Sequence, residues 1–310
     1  MRVLIAEHDH ARYAEILRAA APELEVLTSG DSAELARQAP QCPVWLGQPD
    51  LLASLLRQGH KPAWMQSTWA GITPLLAEGL PRDYRLTRAV GIFGQVMAEY
   101  MLTYMLGHER EVLSRLVSQV ERRWDDRPGR TLEGRKVLIV GTGDIGQRVA
   151  EFLQPFGVIL YGVASSAREQ APFVEVAALA DLPRLVGQVD YVLNLLPDTP
   201  ATHDLYDAAL FKCFQPSALF INAGRGAAVV DADLVAALKD GHLAGAVIDV
   251  CRQEPLPRQH PFWTAWGLLL TGHSSAPTSP TAMVRLFVDN LQAYVAGQGL
   301  RGEVDFARGY

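Results

Sequence analysis

Cysteine is scarce. Cys42, Cys213 and Cys251 are the only three in 310 residues. They are odd in number, far apart and without a CxxC pair, so neither a disulfide framework nor a zinc site is indicated, and a reducing compartment fits. An excess of basic residues is also missing: the net charge is −6, which argues against nucleic acid or an anionic membrane as the main partner, because both select basic surfaces. No apolar run approaches the roughly 18 residues needed to span a bilayer. The stretch from Met1 to Glu7 turns polar too early for a signal-peptide core and reads as a first strand. Internal repeats and low-complexity tracts are lacking as well. What remains is the expectation of a cytoplasmic globular protein, with 49% hydrophobic and 20% charged residues. The length suggests about two domains at roughly 100–200 residues each.

Up to about residue 96, short strand-like runs (Val3 to Ala6, Leu24 to Thr28, Val44 to Leu46, Trp64 to Ser67) alternate with helical ones (Arg12 to Ala20, Ser32 to Ala39, Asp50 to Gln58). From Val96 to about Arg123, Met97, Tyr100, Met101, Tyr104, Met105, Leu113, Leu116 and Val120 recur near helical spacing. This predicts one long connecting helix whose excess apolar surface suits a second subunit, hence a homodimer. A second α/β region follows, with strand candidates Val158 to Val163, Val189 to Leu196, Ala218 to Asn222, Gly245 to Asp249 and Leu268 to Thr271. Strands alternating with helices are the pattern of parallel sheets. The tail from Thr281 to Ala296 is helical again.

The apolar run Lys136 to Val140 leads into Gly141-Thr142-Gly143-Asp144-Ile145-Gly146, and a segment free of Pro and Gly follows, with Val149, Ala150 and Leu153 at helical spacing. Strand, glycine turn and helix in this order predict a dinucleotide site. The first glycine permits the tight turn, the second lets the backbone approach pyrophosphate, and the third lets helix and strand pack closely. The next strand would normally end in an Asp or Glu for the ribose 2′-hydroxyl. Here it reads Gly162-Val163-Ala164-Ser165-Ser166-Ala167-Arg168. Without a carboxylate to repel a 2′-phosphate, and with Ser165, Ser166 and Arg168 at hand, NADPH is expected over NADH.

Downstream, Asn222-Ala223-Gly224-Arg225-Gly226 places an arginine in a tight loop after a strand, where a guanidinium can grip a carboxylate bidentately. Glu254 and His273 supply a carboxylate and an imidazole; paired, the carboxylate favours the imidazolium and orients it for proton donation. HxxxH and CxxC spacings are absent, so no metal is expected. A nucleophilic reading of Ser274-Ser275 fails for want of a GxSxG turn.

With these motifs in order, together with Leu132 to Lys136, Leu195 to Pro200 and Thr271-Gly272-His273, the chain resembles the D-isomer-specific 2-hydroxyacid dehydrogenase family over nearly its whole length. The resemblance implies two α/β domains with parallel sheets, Rossmann-like and flavodoxin-like. A nucleotide domain of about residues 97–276 would be inserted between the parts of a substrate domain, about 1–96 and 277–310, with the active site in the cleft between them. It implies Arg225 as the substrate-orienting arginine, Glu254 as the histidine's partner and His273 as the acid/base. Leu196, Pro197, Ala223 and Asp249 would join Gly141, Gly143, Asp144, Ile145 and Gly146 as cofactor contacts, Asp249 at the nicotinamide end. Trp69-Ala70-Gly71-Ile72 resembles the family's carboxylate-holding turn, with Ala70 and Gly71 as substrate contacts, although the aspartate usual after it is missing. Trp45 and the non-acidic end of the second strand point to the glyoxylate/hydroxypyruvate reductase branch, with Trp45 at the substrate or, alternatively, a core or interface aromatic. The implied activity is reduction of a small 2-oxo acid. The rival from another class is a dinucleotide-sensing, corepressor-like binding protein of the same fold, and formate or phosphite oxidation is a third reading.

Overall fold

Short aliphatic and β-branched runs form parallel strands throughout the computed structural model, which describes residues 1–309. The chain divides into two units, Met1–Ile92 together with the segment from Thr278 onward, and Phe93–Pro277.

The first unit holds β1 (Arg2–Ala6), β2 (Glu25–Thr28), β3 (Val44–Gly47), β4 (Trp64–Ser67) and β5 (Arg85–Thr87), in the order β2-β1-β3-β4-β5. All pairings are parallel, so the order is that of a flavodoxin-like sheet. β3 and β4 are buried along their whole length, as strands covered on both faces are. Trp45 in β3 is therefore a core residue, fully buried, with its indole N–H donating to the Cys42 carbonyl at 2.9 Å. The expectation that it contacts substrate is corrected on this ground. The C-terminal helix Pro280–Val295 begins with Ser279 as its cap and buries Met283, Leu286, Phe287 and Asn290.

The second unit holds β6 (Lys136–Val140), β7 (Ile159–Ala164), β8 (Glu175–Ala178), β9 (Tyr191–Asn194), β10 (Leu219–Asn222), β11 (Gly245–Ile248) and β12 (Leu268–Leu270). Their order is β12-β11-β10-β9-β6-β7-β8, again all parallel. The order reverses between β6 and β9, the switch point where doubly wound sheets bind ligands outside the carboxyl ends of their strands. After β6, the helix Asp144–Leu153 buries Gly146, Val149, Ala150 and Leu153, one stripe at helical spacing.

The single long helix expected before this sheet is two. Gly94–Glu109 buries Met97, Ala98, Met101 and Met105, while Val112–Val120 follows a break at Glu111, whose φ of 52° is left-handed and stops the hydrogen-bond ladder. No Gly or Pro marks the junction, so periodicity alone runs through it. The second of these helices leaves Val112, Leu113, Leu116, Val117 and Val120 each more than half exposed, and Trp124 beyond it is 90% exposed. Among the described residues no helix is long and apolar enough to cross a membrane.

Candidate active site

The candidate residues of the second unit all fall at one edge of its sheet. Following the strand order, His273 lies beyond β12, Asp249 and Glu254 beyond β11, Ala223 and Arg225 beyond β10, Leu196 and Pro197 beyond β9, the glycine loop beyond β6, and Ser165, Ser166 and Arg168 beyond β7. Parallel pairing puts every carboxyl end on the same side, so distant parts of the sequence become neighbours.

The glycine loop has the shape its spacing predicts. Gly141 has φ of 107°, and a Cβ there would lie 3.0 Å from the Leu195 backbone; at Gly146 it would lie 2.0 Å from the Gly141 carbonyl oxygen. A Cβ on Gly143, by contrast, would meet nothing within 4 Å. Two glycines are thus needed for packing, and the middle one faces open space at the start of a helix, where backbone N–H groups favour an anion. Asp144 and Ile145 begin that helix.

Arg168 folds back onto this loop. Its Nη2 donates to Thr142 Oγ1 at 2.7 Å and its Nε to Gln170 Oε1 at 2.8 Å. Gln170 Nε2 in turn donates to the Thr142 carbonyl at 3.0 Å and to Gln147 Oε1 at 2.6 Å. Ser165 and Ser166 stand exposed beside it. A cationic side chain held over a phosphate-type loop, with no carboxylate ending β7, suits a dinucleotide carrying a 2′-phosphate. An open surface depression beside it is lined by Arg168, Gln170, Phe173 and Val176. Thr142, Gln147 and Gln170 were missed in the sequence; Thr142 sits inside the glycine motif, the one signal that could have found it.

At the other end of the edge, His273 Nδ1 meets Glu254 Oε2 at 2.7 Å. The hydrogen bond to Glu254 raises the imidazole's pKa against the lowering by burial and by Arg225. Burial pushes the Glu254 carboxyl upward, but the His273 contact and the Cys251 backbone N–H at 2.8 Å outweigh it and hold the group below the ordinary range. Arg225 leaves β10 with extended backbone, and its Nη1 donates to the Gly224 carbonyl at 2.5 Å. The buried pair Asn194 and Asn222 shapes its loop. Asn194 Nδ2 donates to Asn222 Oδ1 at 2.9 Å, and that oxygen also accepts the Gly224 N–H at 3.2 Å. Leu196 is nearly buried and packs so close that a Cβ on Gly224 would lie 2.8 Å from its carbonyl oxygen.

Asp249, expected at the nicotinamide end of a cofactor, is 1% exposed, and both its carboxylate oxygens are engaged by the loop that carries His273. Fastening that loop is the task its contacts display. No group of three or more His, Cys, Asp or Glu side chains suited to a metal occurs among the described residues.

In the first unit, Ala70 and Gly71 follow β4, and their backbone N–H groups have no acceptor among the described residues. Thr68, two residues before Ala70, donates its hydroxyl to the buried Glu7 carboxylate at 2.6 Å. Two adjacent open donors are what a carboxylate-holding turn requires.

The model for the NAD binding domain of D-isomer specific 2-hydroxyacid dehydrogenases matches residues 102–275. Glyoxylate/hydroxypyruvate reductase A of Serratia proteamaculans is 34% identical over 216 residues, 70% of this chain and 69% of that one. Among solved structures, a D-isomer specific 2-hydroxyacid dehydrogenase family protein from Aeromonas salmonicida superposes with a TM-score of 0.92 at 37% identity, covering 98% of this chain and 99% of that one. The NADPH-dependent glyoxylate/hydroxypyruvate reductase of Sinorhizobium meliloti, solved with NADP and sulfate, gives 0.87 at 27% identity over 100% and 99% of the two chains.

Proposed function

We propose, from the premise that this chain belongs to the D-isomer specific 2-hydroxyacid dehydrogenase family, in its glyoxylate/hydroxypyruvate reductase A-like branch, and is an NAD(P)-dependent oxidoreductase, that it reduces small 2-oxo acids such as glyoxylate and hydroxypyruvate to D-2-hydroxy acids with NADPH. The observation that carries this reading is the His273–Glu254 contact at 2.7 Å on the same sheet edge as Arg225 and the glycine loop.

A bound nicotinamide supplies a hydride for C2 of the oxo acid. The residues supply the rest. Glu254 holds Nδ1 of His273, which leaves Nε2 to donate a proton to the carbonyl oxygen, and the raised pKa keeps that proton available near neutral pH. Arg225 is the grip for the substrate carboxylate, since its planar fork matches two oxygens at once and fixes the carbonyl for attack. The open N–H groups of Ala70 and Gly71 suit an anionic group such as a carboxylate.

A bound dinucleotide would be held at its pyrophosphate by the loop of Gly141, Gly143 and Gly146 with Asp144 and Ile145, and Leu196, Pro197 and Ala223 would be further cofactor contacts. Arg168, Ser165 and Ser166 would receive the 2′-phosphate. The relatives solved with NADP support this choice.

The exposed apolar face of Val112–Val120 supports a homodimer through a second copy of this chain. Light scattering on the purified protein checks it, with mass near that of one chain as the contrary result.

The function is tested by following NADPH and NADH oxidation with a panel of 2-oxo acids. Turnover of glyoxylate or hydroxypyruvate with NADPH preferred is expected. Cofactor binding without turnover of any 2-oxo acid would leave a binding protein of the same fold instead.

A further inference from the structure

We infer that Thr271 and Tyr100 are positioning residues for His273, acting through the carboxylate of Asp249. The inference rests on the reading of His273 as the proton donor and names what holds it in place.

His273 has φ of 57° and follows Gly272 at φ of 66°, so two consecutive residues turn in the left-handed region. A side-chain-bearing residue is uncommon there and persists where its surroundings over-determine it. Asp249 supplies that determination. Its backbone carbonyl accepts the His273 N–H at 2.6 Å. Its Oδ1 accepts the Ser274 N–H at 2.8 Å and the Thr271 hydroxyl at 2.6 Å, and its Oδ2 accepts the Ser275 N–H at 3.2 Å. A carboxylate that is 1% exposed has little water to lean on, so each of these donors matters.

Thr271 carries a single hydroxyl proton and directs it to Asp249. The Tyr100 hydroxyl, 2.9 Å from the same oxygen, is therefore the donor in that contact. Burial raises the pKa of Tyr100, which keeps the phenol protonated. Tyr100 belongs to the helix Gly94–Glu109, anchored in the core by Met97, Met101 and Met105, and its ring meets Tyr104 edge-on at 4.8 Å. A rigid helix is thus linked through two hydroxyls and one buried carboxylate to the backbone that sets the imidazole. The charged groups facing His273 are Glu254 and Asp249, which raise its pKa, and Arg225, which lowers it. A loosened loop moves the imidazole off the Glu254 contact that raises its pKa.

The test is steady-state kinetics across pH on Thr271→Val, Thr271→Ser, Tyr100→Phe and the Thr271→Val/Tyr100→Phe double variant, beside His273→Ala. Loss of a hydrogen bond to a charged group predicts a fall in kcat of about tenfold for Thr271→Val. The KM for NADPH should stay within about twofold, and the alkaline limb of the pH profile should move to lower pH. Thr271→Ser should recover most of the loss. Tyr100→Phe should cost less, and nothing further once Thr271→Val is in place, because both act through one chain of contacts. Wild-type kcat and pH limb in Thr271→Val and Tyr100→Phe, with His273→Ala inactive, overturn the inference alone. Independent, multiplying losses overturn it as well. Unchanged turnover in His273→Ala removes the reading of His273 and the inference with it.

Discussion

The two ends of the second sheet's carboxyl edge are built differently. Beyond β6 and β7, the groups that tie Arg168 to the loop are neutral: the Thr142 hydroxyl and backbone and the amides of Gln147 and Gln170, with one exposed cation, Arg168, laid across them. Beyond β10 to β12 the fixing groups are buried: a pair of asparagines holds the Arg225 loop, and the Asp249 carboxylate holds the loop of His273, which sits in the left-handed region. A neutral cradle with a surface cation can give or lose one contact and keep its shape. A loop wound around a buried charge has one arrangement. The cofactor end should therefore respond to substitution through binding, and the other end through turnover.

The largest effect expected is at His273. His273→Ala removes the proton donor and should lower kcat for 2-oxo acid reduction by roughly 10²–10⁴-fold, while fluorescence titration shows NADPH still bound. Lost NADPH binding would erase the distinction between the two ends. Arg225→Lys comes next. The charge stays but the planar fork goes, and kcat/KM should fall at least about tenfold. Wild-type kinetics would make Arg225 a structural residue.

At the cofactor end, Arg168→Ala should weaken NADPH by about 1.5–3 kcal/mol if the guanidinium meets a phosphate, leaving NADH binding and the kcat at saturating cofactor nearly unchanged. Equal losses for both dinucleotides would mean that Arg168, through Thr142, supports the loop itself.

How legible each end was in the sequence follows from how local it is. The glycine loop is six adjacent residues between an apolar strand and a helical stripe, and it could be read directly. Arg168 stood out because it follows a strand without an acidic end. Its partner Gln170, only two residues on, did not, because the backbone bridge from Arg168 to Val176 that curls the segment over Thr142 leaves no mark in the pattern. Arg225, Glu254 and His273 were legible through their flanking motifs, but Tyr100 read only as one residue of an apolar stripe. Its contact with Thr271 spans 171 positions. In the fold, β5 and β8 escaped notice because they are three and four residues long and begin with Arg85 and Glu175. Trp45 misled because an aromatic in a short strand reads equally well as wall or core, and only the covering of both faces of β3 decides.

Glu254 gives the smallest effect and the sharpest test, since it belongs to the catalytic end yet lies on the surface. Its side chain is 37% exposed and that of His273 is 50% exposed. Solvent screens such a pair, so Glu254→Gln should cost only a few-fold in maximal kcat, roughly the scale of an exposed ion pair. What it must change is the pH at which activity fades. The His273 pKa is raised, first by its hydrogen bond to Glu254. The protonated imidazole is the active form in reduction, so activity holds below that raised pKa and falls as pH rises through it. Replacing the carboxylate with a neutral amide takes away the stabilisation of the imidazolium. The pKa drops, and the alkaline limb of the kcat profile moves to lower pH. At a pH below both limbs, variant and wild type should differ only by that few-fold factor, and the gap should widen as pH rises. A limb that stays in place would remove Glu254 from this role and leave the loop wound on Asp249 as the support for His273.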